Sequence, residues 1–171
     1  GNKRDRDYSP TLPEGSHGSK FLNFLSKELI PYISVHYPVR EEKTLTGYSA
    51  GANFTLYTLL TRPLLFTNYL AGRIGSSLDS SFLFRSIKKI RTLPKKTASR
   101  LFISAGSKES WALQKQEELL SAIKKKKLKT LDICSKRFEG LAHGYAGAFT
   151  FLVEGLRWLL GPADSGLNAD G

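Results

Sequence analysis

The chain has 171 residues, of which 40% are hydrophobic and 24% charged, a composition that excludes a disordered chain and is typical of one globular domain. Its single cysteine, Cys134, excludes a disulfide framework and a cysteine-built zinc site, and no run of about 18 apolar residues predicts a membrane span. Lysine and arginine total 26 against 15 acidic residues, a net charge of +11, which favours anionic partners without specifying one.

The first part of the chain predicts a loop, a long helix, a strand and a second helix. Gly1 to Gly18 is rich in proline, glycine and polar residues, which predicts a loop. Apolar residues at helical spacing predict a helix from Ser19, as N-cap, to about Val35, with Pro31 as a bend or an early end. The β-prone segment Lys43 to Tyr48 predicts a strand, and Ala50 to Leu60 predicts the helix that follows it directly.

The same alternation continues to the end of the chain. The predicted strands are Asn68 to Gly72, Leu101 to Ala105 and Thr130 to Phe138, and the predicted helices are Ser80 to Ile90, Ser110 to Lys126 and Tyr145 to Leu160. The last helix is expected to carry one apolar stripe, made of Phe149, Leu152, Val153, Leu156, Leu159 and Leu160. Strands that alternate with helices favour an α/β fold, with a parallel sheet covered by helices on both faces. We therefore expect residues 1–161 to belong to one domain and residues 162–171, which are small and polar, to form a flexible tail.

A G-x-S-x-G sequence, Gly47 to Gly51, lies between the first predicted strand and its helix. In a nucleophile elbow the serine takes a strained conformation at the tip of the turn, and side chains two residues to either side would collide with neighbouring elements. The helix that starts after Ser49 directs the positive end of its dipole at the site, so the Ala50 N–H is expected to donate to a developing oxyanion. The motif predicts Ser49 as a nucleophile.

A serine nucleophile requires a base, and the chain has three histidines. His17 and His36 precede Ser49, whereas the hydrolase order is serine, acid, histidine. His143 fits this order and follows the last predicted strand. The alternative for an isolated histidine is an ordinary loop residue.

The acid of a triad is expected after the last strand but one, where Glu109 follows the strand Leu101 to Ala105. Its role would be to hold the His143 tautomer and stabilise the imidazolium. Alternatively, Glu109 opens the next helix, where the helix dipole favours a carboxylate. Asp79 and Asp132 are weaker candidates, and a Ser49–His143 dyad without an acid also stays open.

Several motifs in order carry a family resemblance. Asn2 to Thr11 matches the pattern N-x-x-R-D-Y-x-P-T, and Phe21 to Ile33 matches F-x-x-F-L-x-x-E-L-I-P-Y-I. The G-x-S-x-G motif follows, and a glycine-histidine loop and a helix end the match at Trp158. The chain resembles the C-terminal part of an α/β-hydrolase of the Putative esterase family, in the branch of enterochelin and trilactone siderophore esterase-like proteins.

The resemblance implies carboxylic ester hydrolysis through an acyl-enzyme, with no metal or organic cofactor. It implies a small ester as substrate, with a siderophore lactone as one candidate, and the basic surface would suit an anionic ferric siderophore. Gly72 to Asp79 departs from the serine-proline-serine segment that the family often has here.

A second departure from the family concerns the N-terminal strands. The chain contains no methionine, and the resemblance begins after the family's fifth strand. We therefore expect the preceding strands, and the second oxyanion donor they carry, to be missing from this sequence. An unpaired sheet edge would then favour self-association.

Two further hypotheses come from other classes of protein. One is a non-catalytic or truncated α/β domain that binds a partner through its sheet edge. The other is a nucleic-acid binder that uses the basic stretches Lys88 to Arg100 and Lys124 to Lys129, but these lack interleaved aromatic residues, so no nucleic-acid partner is expected. The compartment is not specified by the sequence; a bacterial protein of this class would be cytoplasmic or periplasmic.

Overall fold

The computed structural model describes residues 4–9, 17–75, 82, 85–87, 99–126 and 130–161. Within these residues four parallel strands pair in the order β1-β2-β3-β4. The strands are β1 (Thr44–Ser49), β2 (Asn68–Ile74), β3 (Ser99–Gly106) and β4 (Leu131–Phe138). Because all four run in the same direction, their carboxyl ends meet at one edge of the sheet. The α/β class and the parallel sheet are therefore confirmed.

Helices alternate with these strands close to the predicted positions. They are α1 (Arg4–Tyr8), α2 (Gly18–Phe24), α3 (Ile30–His36), α4 (Ala50–Thr61), α5 (Ser110–Lys125) and α6 (Tyr145–Leu160). Of the predicted helix Ser80 to Ile90, Phe82 and residues 85–87 are helical, and the others lie outside the described residues. The predicted tail, residues 162–171, also lies outside them.

The N-terminal segment corrects the sequence analysis, because part of the predicted loop is helical. Helix α1 forms where a loop was expected. The ring of Tyr8 packs 5.7 Å from that of Phe21 and 6.0 Å from that of Phe54. Burial of this aromatic cluster stabilises a short helix that local composition does not predict.

The helix expected between Ser19 and Val35 exists, but with a different start and an internal irregularity. His17 precedes its first residue and makes no side-chain capping bond, so the predicted Ser19 cap is wrong. A π-helical turn, Leu25–Leu29, joins α2 to α3, with the Ile30 N–H bonded to the Leu25 carbonyl. In a regular α-helix the ring of Pro31 would clash with the carbonyl four residues earlier, and the wider turn relieves that clash without ending the helix.

The main core lies on the face of the sheet that α4 and α5 cover. Strand residues such as Tyr69 and Leu101 are fully buried there against helix residues such as Leu56 and Leu119. Residues 52–60 of α4 are all buried, because α2 packs behind the helix. This surrounding burial explains why α4 is apolar on nearly every side.

Helix α6 covers the opposite face, so both faces carry helices as predicted. Phe151 packs there against Leu70 and Phe102, and a Cβ at Gly155 would lie only 3.1 Å from a methyl group of Leu70. The predicted apolar stripe of α6 does not lie against the sheet throughout, since four of its residues are exposed: Phe149, Leu152, Leu156 and Leu160. No helix in the described ranges combines the length and apolar character that crossing a bilayer requires.

Candidate active site

The predicted catalytic residues all lie at the carboxyl edge of the sheet. Ser49 ends β1, Glu109 follows β3 by three residues, and His143 follows β4 in the loop before α6. In parallel sheets this edge is where the loops that carry ligand-binding groups converge. The fold thus places three predicted residues on neighbouring loops.

Ser49 occupies a strained turn between β1 and α4. Its φ is 58° and its ψ is −117°, a conformation that costs a non-glycine residue on the order of 1–3 kcal/mol. Ala50 is the first residue of α4, so its N–H has no acceptor within the helix and lies at the positive end of the dipole. The strand, sharp turn and helix predicted from the sequence are therefore present.

A buried amide fixes the end of β2 against this turn. Asn53 accepts a hydrogen bond from the Gly75 N–H (2.8 Å) and donates one to the Gly75 carbonyl (3.2 Å). A Cβ at Gly75 would lie 2.9 Å from the carbonyl carbon of Ser49 and 3.0 Å from the nitrogen of Ala50. These hydrogen bonds were not predicted from the sequence, although an asparagine inside an apolar helix is unusual enough to have suggested a buried polar contact.

The two glycines of the motif differ in how tightly they are packed. A Cβ at Gly47 would overlap the carbonyl oxygen of Gly51 and approach the Thr55 hydroxyl to 2.7 Å. By contrast, among the described residues no heavy atom lies within 4 Å of a Cβ built on Gly51. The expectation that both positions exclude side chains is borne out at Gly47 and is wrong at Gly51 for this part of the chain.

This difference predicts opposite effects on stability. Gly47→Ala should lower the free energy of unfolding by about 1–3 kcal/mol, because the added methyl forces β1 away from α4. The matched change Gly51→Ala should be neutral or stabilising by up to about 1 kcal/mol, since alanine favours the helix. Urea unfolding monitored by circular dichroism measures both, and equal losses in the two variants would contradict the packing described.

The loop that carries His143 is attached to the loop that follows β3. The Gly140 N–H donates to the Ser107 hydroxyl (2.8 Å), and the Lys108 N–H donates to the Leu141 carbonyl (3.1 Å). His143 itself is exposed, and its ring stacks on that of Tyr48 with a centroid separation of 5.6 Å and an angle of 27°. The residue that precedes the proposed nucleophile therefore contacts the proposed base.

The proposed acid, Glu109, also affects the pKa of Tyr48. Burial and, to a smaller extent, the charge of Glu109 raise the pKa of the Tyr48 hydroxyl, while a hydrogen bond with the Gly144 backbone and the charge of Arg73 oppose that shift. The hydroxyl consequently stays protonated at neutral pH. Tyr48 thus contacts His143 and is close enough to Glu109 and Arg73 for their charges to affect its pKa.

Glu109 is paired with arginine and not with histidine. The Arg73 Nε donates to its Oε1 at 2.6 Å, and the Arg73 and Glu109 side chains are only 19% and 8% exposed. Its Oε2 is buried and has no hydrogen-bond partner, and no hydrogen bond joins Glu109 to His143 in the described parts of the chain. Glu109 is the N-cap residue of α5, where the helix-start alternative expects it, although its side chain makes no capping hydrogen bond. Both the helix-start alternative and the triad assignment stay open.

The other candidate residues lie elsewhere or outside the described ranges. The side chain of Asp132 is 61% exposed and lies 3.4 Å from Arg100, and Asp79 falls outside the described residues. His17 lies 3.9 Å from Asp7, and His36 is exposed. None of these described side chains joins the cluster around Ser49.

The described residues contain no group of three or more histidine, cysteine or acidic residues that could hold a metal ion. An apolar cavity of about 390 Å³ lies between α3 and the segment that leads into β1, away from Ser49. Its lining includes Ile33, Val39 and Phe66 and none of the proposed catalytic residues.

Proteins with similar folds and sequences are named as siderophore esterases or serine hydrolases. The siderophore hydrolase EstB from Aspergillus nidulans matches with a TM-score of 0.76 and 20% identity, over 92% of this chain and 64% of EstB. An IroE-like serine hydrolase from Shewanella oneidensis matches with a TM-score of 0.76 and 23% identity, over 93% of this chain and 57% of that protein.

A curated relative points the same way. The ferri-bacillibactin esterase BesA of Bacillus subtilis is 29% identical over 100 residues, 57% of this chain and 35% of BesA. The chain thus spans less than two thirds of each of these proteins. The model of the family described as Putative esterase matches residues 1–148. Because this match covers well over half of the sequence, the chain belongs to the Putative esterase family.

Proposed function

We propose that the protein is a serine carboxylic ester hydrolase that acts through an acyl-enzyme. The observation that carries this proposal is the backbone of Ser49, which is strained at the tip of the β1–α4 turn beside the first N–H of α4. Such strain persists in proteins where the surrounding structure enforces it, and it clusters at active sites. Family membership supports the same conclusion.

The proposed residues divide the reaction between them. The Ser49 hydroxyl attacks the ester carbonyl while His143 takes its proton, and the Ala50 N–H donates to the oxyanion that forms. Collapse of this intermediate breaks the ester C–O bond, and His143 returns the proton to the departing alcohol. Water then attacks the acyl-enzyme by the same route and releases the acid.

We propose a small anionic ester as the substrate, with a siderophore lactone as the leading candidate. BesA and EstB are named for activity on siderophores. The net charge of +11 would increase the local concentration of an anionic ferric complex. His143 is exposed, so the substrate can reach the proposed base from solvent.

A second candidate is a non-catalytic domain that keeps the turn as part of its fold. It is favoured by the absence, within the described residues, of a hydrogen bond between His143 and the Glu109 carboxylate. A fluorophosphonate probe separates the two, because it modifies only an activated serine. Covalent labelling of Ser49, located by peptide mass spectrometry, is expected for the esterase; a folded protein that stays unlabelled and does not turn over esters would favour the non-catalytic domain.

The role of Glu109 is tested by Glu109→Gln. If Glu109 orients His143, kcat should fall by about two to four powers of ten, because the wrong tautomer of the base is then favoured. A loss of stability alone would not decide its role, since the substitution also leaves the mostly buried Arg73 without its charged partner. The matched control is Glu117→Gln on the exposed side of α5. Turnover by Glu109→Gln at the rate of this control would support the dyad.

A further inference from the structure

Arg73 is the most unusual residue of the described site that has no role in the proposed mechanism. Strand β2 pairs with β1 in regular register up to Tyr48 and Gly72, and then Ser49 pairs with Ile74, which leaves Arg73 as an extra residue. Its φ of 50° lies in the left-handed region, which residues other than glycine, asparagine and aspartate rarely occupy. A bulge of this kind changes the direction in which a side chain points.

The bulge separates Arg73 from the core. Ile74 is 2% exposed and packs in the same core as Tyr69 and Ala71 of the strand. Regular alternation would place Ile74 on the opposite face from those two residues, so the inserted residue restores the burial of Ile74. The Arg73 side chain is consequently available to the carboxyl edge of the sheet, where it meets Glu109.

The two oxygens of the Glu109 carboxylate have different surroundings. Oε1 accepts the Arg73 Nε–H at 2.6 Å, whereas Oε2 is buried and has no hydrogen-bond partner among the described residues. A buried carboxylate oxygen normally finds a donor. The His143 loop is the neighbouring segment bonded to the loop of Glu109, through Ser107 and Lys108.

We propose that Arg73 is a positioning residue that holds Glu109 by Oε1 and so presents Oε2 to the imidazole of His143. The proposal rests on the function proposed above. Arg73 touches neither the substrate nor the reacting atoms in this scheme, and it acts only through Glu109. The strained bulge in β2 directs the Arg73 side chain towards Glu109, which lies in the loop after β3.

The test uses substitutions that separate the side chain from the backbone. Arg73→Gly removes the guanidinium and also relieves the left-handed backbone. This relief should offset part of the stability lost when Glu109 is left without its charged partner. The kcat of Arg73→Gly on a chromogenic ester should fall about tenfold to a hundredfold with KM within threefold, because a misplaced Glu109 orients the base poorly. Arg73→Lys, which keeps the charge but loses the planar fork, should be intermediate.

A double-mutant cycle and a structural control complete the kinetic test. The variant carrying Arg73→Gly and Glu109→Gln should be no slower than Glu109→Gln alone, because both changes disable the same contact. Arg62→Gln is the control, since Arg62 bonds Ser26 and Asn23 at the opposite end of α4 from Ser49; it should lower the melting temperature and leave kcat unchanged. Wild-type kcat in Arg73→Gly, a change in KM alone, or losses that multiply in the double variant would each overturn the proposal.

A readout that does not depend on turnover distinguishes this inference from the proposed function. Proton NMR should show a downfield imidazole N–H resonance of His143, produced by a hydrogen bond to the carboxylate, that is lost in Arg73→Gly and in Glu109→Gln. A wild-type protein that shows the resonance without turnover or labelling of Ser49 would refute the esterase and support the positioning role. Absence of the resonance from wild type, or its persistence in Arg73→Gly, would overturn the positioning role.

Discussion

Replacement of Ser49 by alanine is expected to abolish hydrolysis of a chromogenic short-chain ester, with a loss of kcat on the order of 10⁴-fold or more. Alanine keeps the Cβ and therefore the same strained backbone, so the change removes the hydroxyl and leaves the turn between β1 and α4 intact. The far-ultraviolet circular dichroism spectrum and the melting temperature should match those of the parent protein. Labelling by the fluorophosphonate probe should disappear together with turnover.

The matched control for this substitution is Ser121→Ala on the exposed side of α5. It removes a serine hydroxyl far along the chain from the turn and should keep both turnover and labelling. If Ser49→Ala hydrolyses the ester as fast as this control, the nucleophile is another residue and the proposed mechanism is wrong.

The part of the site that the sequence predicts correctly is local in origin. The strand before Ser49 and the helix after it follow from β-prone and apolar runs a few residues long, and the G-x-S-x-G spacing identifies the turn between them. At Gly47 the packing agrees with the motif, since a side chain there would overlap the Gly51 carbonyl. These features depend on contacts within ten residues, which composition and spacing describe well.

The pairing of Arg73 with Glu109 depends on features that no local pattern contains. The two residues are separated by 36 positions and meet only because one residue bulges out of β2. A bulge inserts a single residue into a run that otherwise alternates normally, so the sequence alone did not distinguish Arg73 from other exposed cations. The triad was therefore predicted without the arginine that contacts its acid.

Helix α6 shows how a usable signal was missed. The helix carries two apolar stripes, and in the predicted one four residues are exposed, among them Phe149 and Leu156. The other stripe contains Gly147, Phe151 and Gly155, which are buried. Glycines eight residues apart, Gly147 and Gly155, lie on this face, and a Cβ at Gly155 would lie only 3.1 Å from a methyl group of Leu70. The positions of the two glycines therefore indicate which face of α6 packs on the sheet, whereas the positions of the leucines do not.

Replacement of His143 by alanine should lower kcat about as much as replacement of Ser49, because each residue is ineffective without the other. The double variant should then be no slower than the slower single variant. The change should cost little stability, since His143 is exposed and its described contact is a stack on Tyr48. His36→Ala, at the exposed end of α3, is the matched control and should keep full turnover.

The size of the His143 effect distinguishes a base from an ordinary loop residue. If His143 only packs on Tyr48, His143→Ala should keep most of its kcat, and the losses in the double variant should multiply. If it is the base, the loss should be non-additive and should persist in His143→Phe, which keeps an aromatic ring for the stack but has no nitrogen to take the Ser49 proton. Steady-state kinetics of these four variants with one ester therefore test whether the loop after β4 supplies the catalytic proton acceptor.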